Sequence, residues 1–260
     1  MNRRYLLTAL LAAVALAIPR QASAEALDDI LKAKVIKIAV PQDFAPFGSA
    51  GLDLKPVGYD IDMANLIGKE LGVAVELVPV NSANRIPYLQ TKKVDLVISS
   101  LGKNAEREKV IDFSNAYAPF FQGVFGLKDA KIHKPEDLAG KTVGATRGAI
   151  EEQEITKLAP PTATIKRYED NNATIAAFLS GQVDIIATGN VVAAAIAEKS
   201  PTRAPTSKFV IKDSPCFIGL NKDEAKLQAK INEIIDKAKA SGELSKISEK
   251  WLKAPLPATI

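Results

Sequence analysis

The sequence predicts an α/β fold, and three observations support that prediction. After residue 24, short apolar runs alternate with amphipathic stretches, which is typical of strands and helices that follow one another along the chain. The run VDLVIS at 94–99 indicates a strand that is buried on both faces. Residues 225–240 indicate a helix that faces a core, because apolar side chains recur there at helical spacing, namely Leu227, Ile231, Ile234, Ile235 and Ala238.

The elements fall into two sets, and the first set ends near residue 117. Its apolar runs predict strands at 35–40, 73–80 and 94–99. Its amphipathic stretches predict helices at 59–71, 85–90 and 105–110, and the first of these stops at Gly72. The segment 41–58 is rich in turn residues and is expected to connect the first strand to the first helix.

The second set begins after Tyr117, and a last group of elements follows it at the end of the chain. It has predicted strands at 122–128, 142–145, 164–168, 183–187 and 209–211, with helices at 151–157, 173–179 and 191–198. The first of these helices ends before Pro160-Pro161, since the residue before a proline disfavours helix. A strand at 217–220 and helices at 225–240 and 244–252 complete the chain.

The first 24 residues have the three-part layout of a secretory signal peptide. Arg3-Arg4 forms the positive end, an apolar run covers 6–18, and small residues occupy 22–24. We expect cleavage after Ala24, a periplasmic location and, with no cysteine near the cleavage position, no lipid anchor. Two alternatives stay open, an uncleaved anchor helix, for which the apolar run is short, and export by a twin-arginine route.

Charge and residue counts exclude several classes of function. The chain has 34 basic and 30 acidic residues, but the leader contains three arginines and no acidic residue. A mature domain so close to neutral gives no basis for nucleic-acid binding. Neither a zinc cluster nor a Ser-His-Asp set can be built from one histidine, His133, and one cysteine, Cys216. We expect His133 in a surface loop, Cys216 as a buried thiol, and no metal, no cofactor and no catalytic residue.

Three arginines lie close to the ends of predicted strands. Arg85 opens a helix, Arg107 follows the strand at 94–99, and Arg147 lies in GATRG at 144–148. GATRG lacks the residues of a phosphate-binding loop, so we interpret it as a strand-to-helix junction whose N–H groups face an anion. A guanidinium group binds a carboxylate through two parallel hydrogen bonds. Together the arginines indicate an anionic ligand, although each one alone could equally form a surface ion pair.

Several segments make the chain similar to a known family. GYDIDMANLIGKELGV at 58–73 and NRIPYLQTKKVDLVISSLGKNAEREKVIDFSNAY at 84–117 resemble family 3 of the bacterial extracellular solute-binding proteins, the polar amino-acid receptors of ABC importers. DLAGKTVGATRG at 137–148, FLSGQVDII at 178–186 and ASGELSKISEKWL at 240–252 resemble later segments of the family in the same order. The resemblance covers nearly all of the chain after the leader.

The resemblance implies an α/β fold of the periplasmic-binding-protein type. In that fold two α/β lobes are joined by a two-strand hinge and close on a ligand in the cleft between them. One lobe would comprise residues 25–120 and 216–260, and the other would comprise 121–215. Contacts between the ligand and both lobes would favour the closed state, because a ligand shifts an equilibrium through its different affinities for the two states.

The resemblance also implies ligand-binding roles for individual residues. In the family, an arginine in a T-x-E-R motif binds the α-carboxylate of the ligand, and Arg107 occupies that position although Asn104 replaces the threonine. Ser100 and Gly102 match positions where backbone and hydroxyl groups meet the ligand. Phe44 matches an aromatic residue that packs on the bound molecule, with plain core packing as the alternative.

The chain departs from the family pattern at two places in the second set. Ala149 and Ile150 stand where the family often has two threonines, so backbone N–H groups would remain as ligand contacts without hydroxyl groups. Where most members bind the ligand's ammonium group with an aspartate, this chain has Gly189, followed by Asn190. The ammonium group could instead be held by Asn190, by carbonyl groups or by Asp43.

A further feature of the resemblance concerns the ligand's side chain. Ser82 and Arg85, around the motif NRIP, are similar to the branch of the family that binds acidic amino acids, where this arginine meets the side-chain carboxylate. Together with Arg147, this favours aspartate, glutamate or a related dicarboxylate.

We therefore predict a binding protein that captures an amino acid or dicarboxylate for an inner-membrane ABC permease, and we expect a monomer. Exported cyclohexadienyl dehydratases share the fold and are the enzyme alternative. The ligand segments show no obvious carboxylate that could serve such an enzyme as a general acid. A sensory domain of a receptor is a third alternative, although the sequence shows no spanning helix or signalling module after the matched segments.

Overall fold

The structure is a computed structural model that describes residues 26–260, and the predicted leader lies outside the described residues. Two five-stranded sheets form its framework. The first sheet contains β1 (Val35–Pro41), β5 (Ala74–Val80), β6 (Leu96–Leu101), β7 (Asp112–Ala118) and β13 (Cys216–Leu220). These strands lie in the order β5-β1-β6-β13-β7.

The second sheet is formed by the middle of the chain. It contains β8 (Phe121–Gly126), β9 (Thr142–Thr146), β10 (Thr164–Tyr168), β11 (Ile185–Gly189) and β12 (Thr206–Asp213), in the order β10-β9-β11-β8-β12. A small third sheet contains β2 (Asp43–Phe44), β3 (Gly48–Ala50) and β4 (Pro56–Val57). It lies within the segment that was expected to be a turn-rich connection.

The two large sheets share one pattern of strand directions. In each order given above, the first three strands are parallel, and the fourth is antiparallel to both of its neighbours. The chain passes between the sheets at residues 119–120 and 214–215. Each sheet with its helices forms one lobe, called here the first lobe and the second lobe. The predicted two-lobed α/β fold is confirmed.

Helices cover both sheets. The first lobe contains α1 (Ala26–Ala33), α2 (Tyr59–Leu71), α3 (Arg85–Gln90), α4 (Ala105–Glu108), α8 (Ala225–Ala240) and α9 (Glu243–Leu252). The second lobe contains α5 (Ile150–Leu158), α6 (Asn171–Leu179) and α7 (Asn190–Lys199), with 3-10 turns at Pro135–Leu138 and Pro201–Arg203. In the part of the chain that the structure describes, no helix combines the length and the apolar character needed to cross a membrane.

Local sequence explains where α2 ends and which face of α8 is buried. α2 stops at Gly72, whose φ of 67° is the left-handed conformation that closes a helix. The predicted apolar face of α8 is buried along its whole length, because it packs on the core of the first lobe. The predicted bounds of both helices, 59–71 and 225–240, are confirmed.

Several elements differ from the prediction. β7 was not predicted, because DFSNAYA interrupts the apolar pattern with polar residues, and its place at the sheet edge leaves Asn115 exposed. α1 was also not predicted. β6 and β11 each lie two residues later than expected and end at Leu101 and Gly189. Both shifts bring the strand ends next to the segments that hold the predicted ligand residues. Cys216 is fully buried and His133 is exposed, as predicted.

Candidate functional site

Two arginines of the first lobe point at one carbonyl oxygen of the second lobe. Arg107 Nη2 donates to the Gly148 carbonyl oxygen at 3.0 Å, and Arg85 Nη2 lies 3.5 Å from the same oxygen. Arg85 begins α3, Arg107 lies in α4, and Gly148 connects β9 to α5. The guanidinium groups therefore meet between the lobes at the carboxyl ends of parallel strands, where open α/β sheets bind ligands.

Carbonyl groups of the first lobe hold both side chains in place. Arg85 Nη1 donates to the Ser99 carbonyl oxygen at 2.7 Å, and Arg85 Nε donates to the Ser82 carbonyl oxygen at 3.2 Å. Arg107 Nη1 donates to the Gly102 carbonyl oxygen at 2.8 Å. A carbonyl oxygen orients a guanidinium group but carries no formal charge. The two positive charges are therefore positioned without being neutralised by these contacts.

Both arginines are buried, with exposed fractions of 5% for Arg85 and 3% for Arg107. Burial lowers the pKa of Arg85. Burial and then the neighbouring charge of Arg85 lower the pKa of Arg107 to about 9. The Arg107 Nε is buried without a hydrogen-bond partner, and such a donor costs about 1–3 kcal/mol. An anion at this point would relieve both the missing hydrogen bond and the repulsion between the two arginines.

Asp60 fixes the backbone at the end of β6. Its carboxylate accepts a hydrogen bond from the Ser100 N–H at 2.7 Å and one from the Tyr117 hydroxyl at 2.6 Å. Burial raises the pKa of Asp60 to about 7 against these two hydrogen bonds, which lower it. Ser100, near the end of β6, has a left-handed φ of 41°. The Ser100 N–H is already paired within the first lobe.

The second lobe approaches this site through the junction between β9 and α5. Gly148 has a φ of 75°, and a Cβ added to it would lie 2.8 Å from the Ala83 Cα, so a side chain at this position would clash. Ile150 packs equally closely on the first lobe, because a Cβ added to Gly102 would lie 2.9 Å from the Ile150 Cδ1. Ala149 and Ile150 are both buried. These two predicted site residues thus bring apolar side chains to the interface.

Two buried polar residues were not predicted as site residues. Glu151 lies beside this junction, and Gln122 lies at the hinge. Glu151, 5% exposed, is the second residue of α5. Burial raises the pKa of its carboxyl group, while the charges of Arg85 and Arg107 lower it. Gln122 at the start of β8 is fully buried. Its Nε2 lies 3.5 Å from the Ser214 carbonyl oxygen, and its Oε1 has no hydrogen-bond partner.

A direct hydrogen-bond connection joins the lobes on one side of the site. The Asp43 carboxylate accepts from the Asn171 N–H at 2.6 Å and from the Asn171 Nδ2 at 3.1 Å, at the start of α6. Burial raises the pKa of Asp43, and its hydrogen bonds with Asn171 lower it. The Thr146 hydroxyl donates to the Asn171 Oδ1 at 2.8 Å, which fixes the amide of that side chain.

A second connection joins the lobes on the other side, at α4 and α5. The Asn104 Oδ1 accepts from the Arg107 N–H at 2.9 Å and caps α4. The Asn104 Nδ2 donates to the Gln153 Oε1 at 3.0 Å and to the Glu154 Oε1 at 3.2 Å. The lobes are therefore in contact, and the residue that replaces the family's threonine takes part in that contact.

The side chains of Arg147 and Phe44 make contacts with other residues. The Arg147 side chain is 55% exposed, and its Nε lies 3.5 Å from the Glu169 carboxylate. The Arg147 side chain is thus in a surface ion pair, which was the alternative interpretation for each arginine. Phe44 is buried in a cluster with Phe47 and Phe120, with ring centroids 6.1 Å away in both cases.

The structure gives a steric reason for the glycine at position 189. A Cβ added to Gly189 would lie 2.0 Å from the Phe120 Cζ, so the phenylalanine ring occupies the space that a side chain would need. Asn190 begins α7, and its Oδ1 accepts from the Phe121 N–H at 3.2 Å. Its side chain therefore contacts the backbone that joins the lobes.

Glu151, Asp43 and Asp60 are buried carboxylates whose charges act on Arg85. Glu151 is a buried carboxylate near the two arginines, in a segment where the sequence offered no obvious candidate for a general acid. Sequence reasoning missed Glu151 because the run EEQE does not reveal which glutamate faces inward. Between residues 26 and 260, no group of three or more His, Cys, Asp and Glu side chains could hold a metal ion.

Comparisons with known proteins agree on one family. The chain is 31% identical over 200 residues to the ABC transporter glutamine-binding protein of Bacillus subtilis, covering 75% of this chain and 72% of the relative. It is 28% identical over 257 residues to the arginine-binding extracellular protein of the same organism, covering 96% and 98%. Further relatives are named for L-cystine in Escherichia coli and for glutamate/aspartate in Salmonella typhimurium. These relatives are named as solute-binding proteins and not as enzymes.

Solved structures give the same result. An ancestral amino-acid-binding protein, described as a precursor of cyclohexadienyl dehydratase, is 32% identical with a TM-score of 0.80, covering 86% of this chain and 98% of that chain. The model of the bacterial extracellular solute-binding proteins, family 3, matches residues 36–254, and a periplasmic or extracellular location follows from this family. The chain belongs to family 3 of the bacterial extracellular solute-binding proteins.

Proposed function

We propose that this protein is the periplasmic substrate-binding component of an ABC-type importer and that it captures an acidic amino acid or a related dicarboxylate. One observation supports the acidic ligand above all others. Two buried guanidinium groups on one wall of the cleft converge on a single point, the Gly148 carbonyl oxygen. The charges of Glu151, Asp43 and Asp60 act on Arg85, but among the described residues no carboxylate forms an ion pair with either arginine. A ligand with more than one negative charge would therefore compensate both arginines.

The geometry suggests a division of roles between the two arginines. Arg107 would bind the α-carboxylate, because its Nε is buried without a partner and its Nη2 reaches into the interface. Arg85 lies beside it and would bind the side-chain carboxylate, with its Nε and Nη1 held by the Ser82 and Ser99 carbonyl oxygens. Charge-assisted pairs between arginine and carboxylate are among the stronger hydrogen bonds in proteins.

The remaining predicted site residues would shape the cleft. Gly102 would let Ile150 approach the first lobe, and Ser100 would expose backbone at the end of β6. Ala149 would offer its backbone to the ligand, and Phe44 would form part of an apolar wall. Asn190 would fix the strand that leads into the second lobe.

Closure of the two lobes would trap the ligand. We propose that the lobes comprise residues 25–120 with 216–260 and residues 121–215, because β7 ends at Ala118 and β13 begins at Cys216. An anion between the guanidinium groups would stabilise the closed arrangement selectively, since it compensates charges that closure buries. The protein would then present the closed form, as a monomer, to a permease of the inner membrane.

A panel of candidate ligands tests this proposal. The unfolding temperature of the mature protein is measured with each L-amino acid and with succinate and glutarate, and dissociation constants follow by calorimetry. A ligand that binds the folded state raises the unfolding temperature in proportion to the logarithm of its concentration. We expect aspartate or glutamate to give the largest increase. A larger increase with glutamine, arginine or cystine would contradict the acidic ligand, and no increase with any compound would contradict the binding function.

A further inference from the structure

We propose that Glu151 binds the α-ammonium group of the ligand and replaces the aspartate that the family has at the position of Gly189. The ligand is then an α-amino acid and not a dicarboxylate that lacks an amino group. This inference rests on the proposed function, because it assigns the third charge of the same site.

The buried charges of the site are complementary to those of an acidic amino acid. Arg85 and Arg107 supply two cationic groups and Glu151 supplies one carboxyl group, all three at most 5% exposed. Asp43 and Asp60 also act on Arg85, but both already accept hydrogen bonds from neighbouring residues. Aspartate and glutamate carry two carboxylates and one ammonium group. A dicarboxylate without the amino group would leave the Glu151 carboxylate buried with no cation supplied by the ligand, which is strongly unfavourable.

The position of Glu151 fits this role. Its charge acts on Arg85, on Arg107 and on the Cys216 thiol at the start of β13. The neighbouring Ile150 packs on Gly102 of the first lobe, so α5 begins at the interface that contains the arginines. None of the ion pairs within 4.0 Å between residues 26 and 260 involves Glu151. Its carboxyl group is thus buried, with Arg85 and Arg107 outside contact distance.

A second acceptor is available beside Glu151. The Gln122 Oε1 is buried without a partner, and the Gln122 side chain and the Ile150 side chain both pack on Gly102. Glu151 follows Ile150 in the chain. An ammonium group has three donors, so the Glu151 carboxylate and the Gln122 Oε1 together offer acceptors for it.

The other acidic groups near the site are already paired. Asp43 accepts two hydrogen bonds from Asn171. Asp60 accepts one from Ser100 and one from Tyr117. Phe120 fills the space beside Gly189. Among the described residues, Glu151 is therefore the carboxylate at this site that lacks a donor from another residue.

Matched ligand pairs test the proposal on the wild-type protein. Calorimetry compares L-glutamate with glutarate and L-aspartate with succinate, which differ by the amino group alone. We expect the amino acid of the preferred pair to bind at least about 100-fold more tightly, as the loss of a buried charge partner predicts. Equal affinities within the preferred pair would overturn the proposal, because Glu151 would then have no cation to bind.

The variant Glu151→Gln assigns the preference to this residue. It keeps the size of the side chain and removes its charge, so we expect the preference for the amino acid to fall below about 10-fold. Glu198→Gln, which changes an exposed glutamate on α7, is the matched control and keeps the full preference. Should Glu151→Gln fail to fold, Glu151→Asp retains the charge and must retain the preference.

The possible outcomes separate this inference from the proposed function. If the wild-type protein binds acidic amino acids and Glu151→Gln keeps the full preference, the inference is wrong and the proposed function stands. If arginine or lysine binds best, Glu151 pairs with a cationic side chain and the assignment to the α-ammonium group is wrong. If the protein converts prephenate to an aromatic product and Glu151→Gln abolishes this, Glu151 is a general acid and the inference is again wrong.

Discussion

The two walls of the cleft are built from different chemical groups. The first lobe contributes two arginine side chains, each held by carbonyl oxygens of its own lobe. The second lobe contributes backbone and small or apolar residues at 148–150, followed by the carboxylate of Glu151. The guanidinium groups of the first wall are therefore held in place by their own lobe, whereas the second wall contributes backbone, apolar side chains and one carboxyl group.

This difference has an energetic consequence. Burial lowers the pKa of both arginines, so at neutral pH the closed form keeps two positive charges in an environment that disfavours them. Under the proposed function, an anionic ligand would compensate these charges in the closed form. The energy of closure would then depend on the charge of the ligand, and the first lobe should control affinity more strongly than the exposed arginine of the second lobe.

Removal of the Arg107 side chain should have the largest effect on binding. Arg107→Ala deletes the donors that face the interface, and truncating one partner of a buried charge pair costs about 2–5 kcal/mol, roughly 30-fold to several-thousand-fold in Kd. Calorimetry with the preferred amino acid measures the loss. The unfolding temperature without ligand serves as the control and should not fall strongly, because the variant removes a buried charge. Unchanged affinity would show that the first wall does not bind the ligand.

Loss of the contact between Asp43 and Asn171 should have the second-largest effect on binding. Asp43→Ala removes a carboxylate that accepts two hydrogen bonds across the lobes, and a hydrogen bond to a charged group contributes about 1.5–3 kcal/mol. Because these bonds join the lobes, we expect a Kd about 10-fold higher, mainly through faster dissociation. Asp43→Asn keeps one acceptor oxygen and should lose less. Identical dissociation rates in all three proteins would mean that the contact does not stabilise closure.

A side chain at position 189 should destabilise the protein and should not improve binding. Gly189→Asp restores the residue that the family has, but the Phe120 ring occupies its space, and such overpacking costs about 1–3 kcal/mol. Unfolding in urea measures the effect. Asn190→Asp is the control, since aspartate can also accept from the Phe121 N–H, and should unfold almost as the wild type does. Tighter ligand binding by Gly189→Asp would show that Phe120 moves aside.

The fold was largely predictable from the sequence, whereas the anion site stays a prediction. The bounds of α2 and α8 agree with the prediction, and Arg85 and Arg107, both predicted near strand ends, converge on the Gly148 carbonyl oxygen. Polar β7 was missed, because its pairing with β13 at a sheet edge depends on residues about a hundred positions away. Local patterns do not contain such long-range pairing.

The second wall was less predictable, because its features depend on which way side chains point. Glu151 and Glu152 are neighbours in sequence, yet Glu151 is buried beside the arginines while Glu152 forms an ion pair with Arg167 at 2.7 Å. A short helix with several glutamates gives no local signal for that choice. Gln122 likewise gave no signal, since its burial comes from the junction between the two lobes.

Arg147 should have the smallest effect, and it tests the comparison of the two walls most directly. Its side chain is 55% exposed and lies 3.5 Å from Glu169, itself 71% exposed. Exposed ion pairs contribute about 0–1 kcal/mol, so Arg147→Ala should change the Kd by less than about 3-fold. Arg85→Ala, measured in parallel, should cost at least ten times more. If Arg147→Ala weakens binding as much as Arg85→Ala does, the Arg147 side chain turns into the cleft when ligand binds. The second lobe then also contributes an arginine to the anion site.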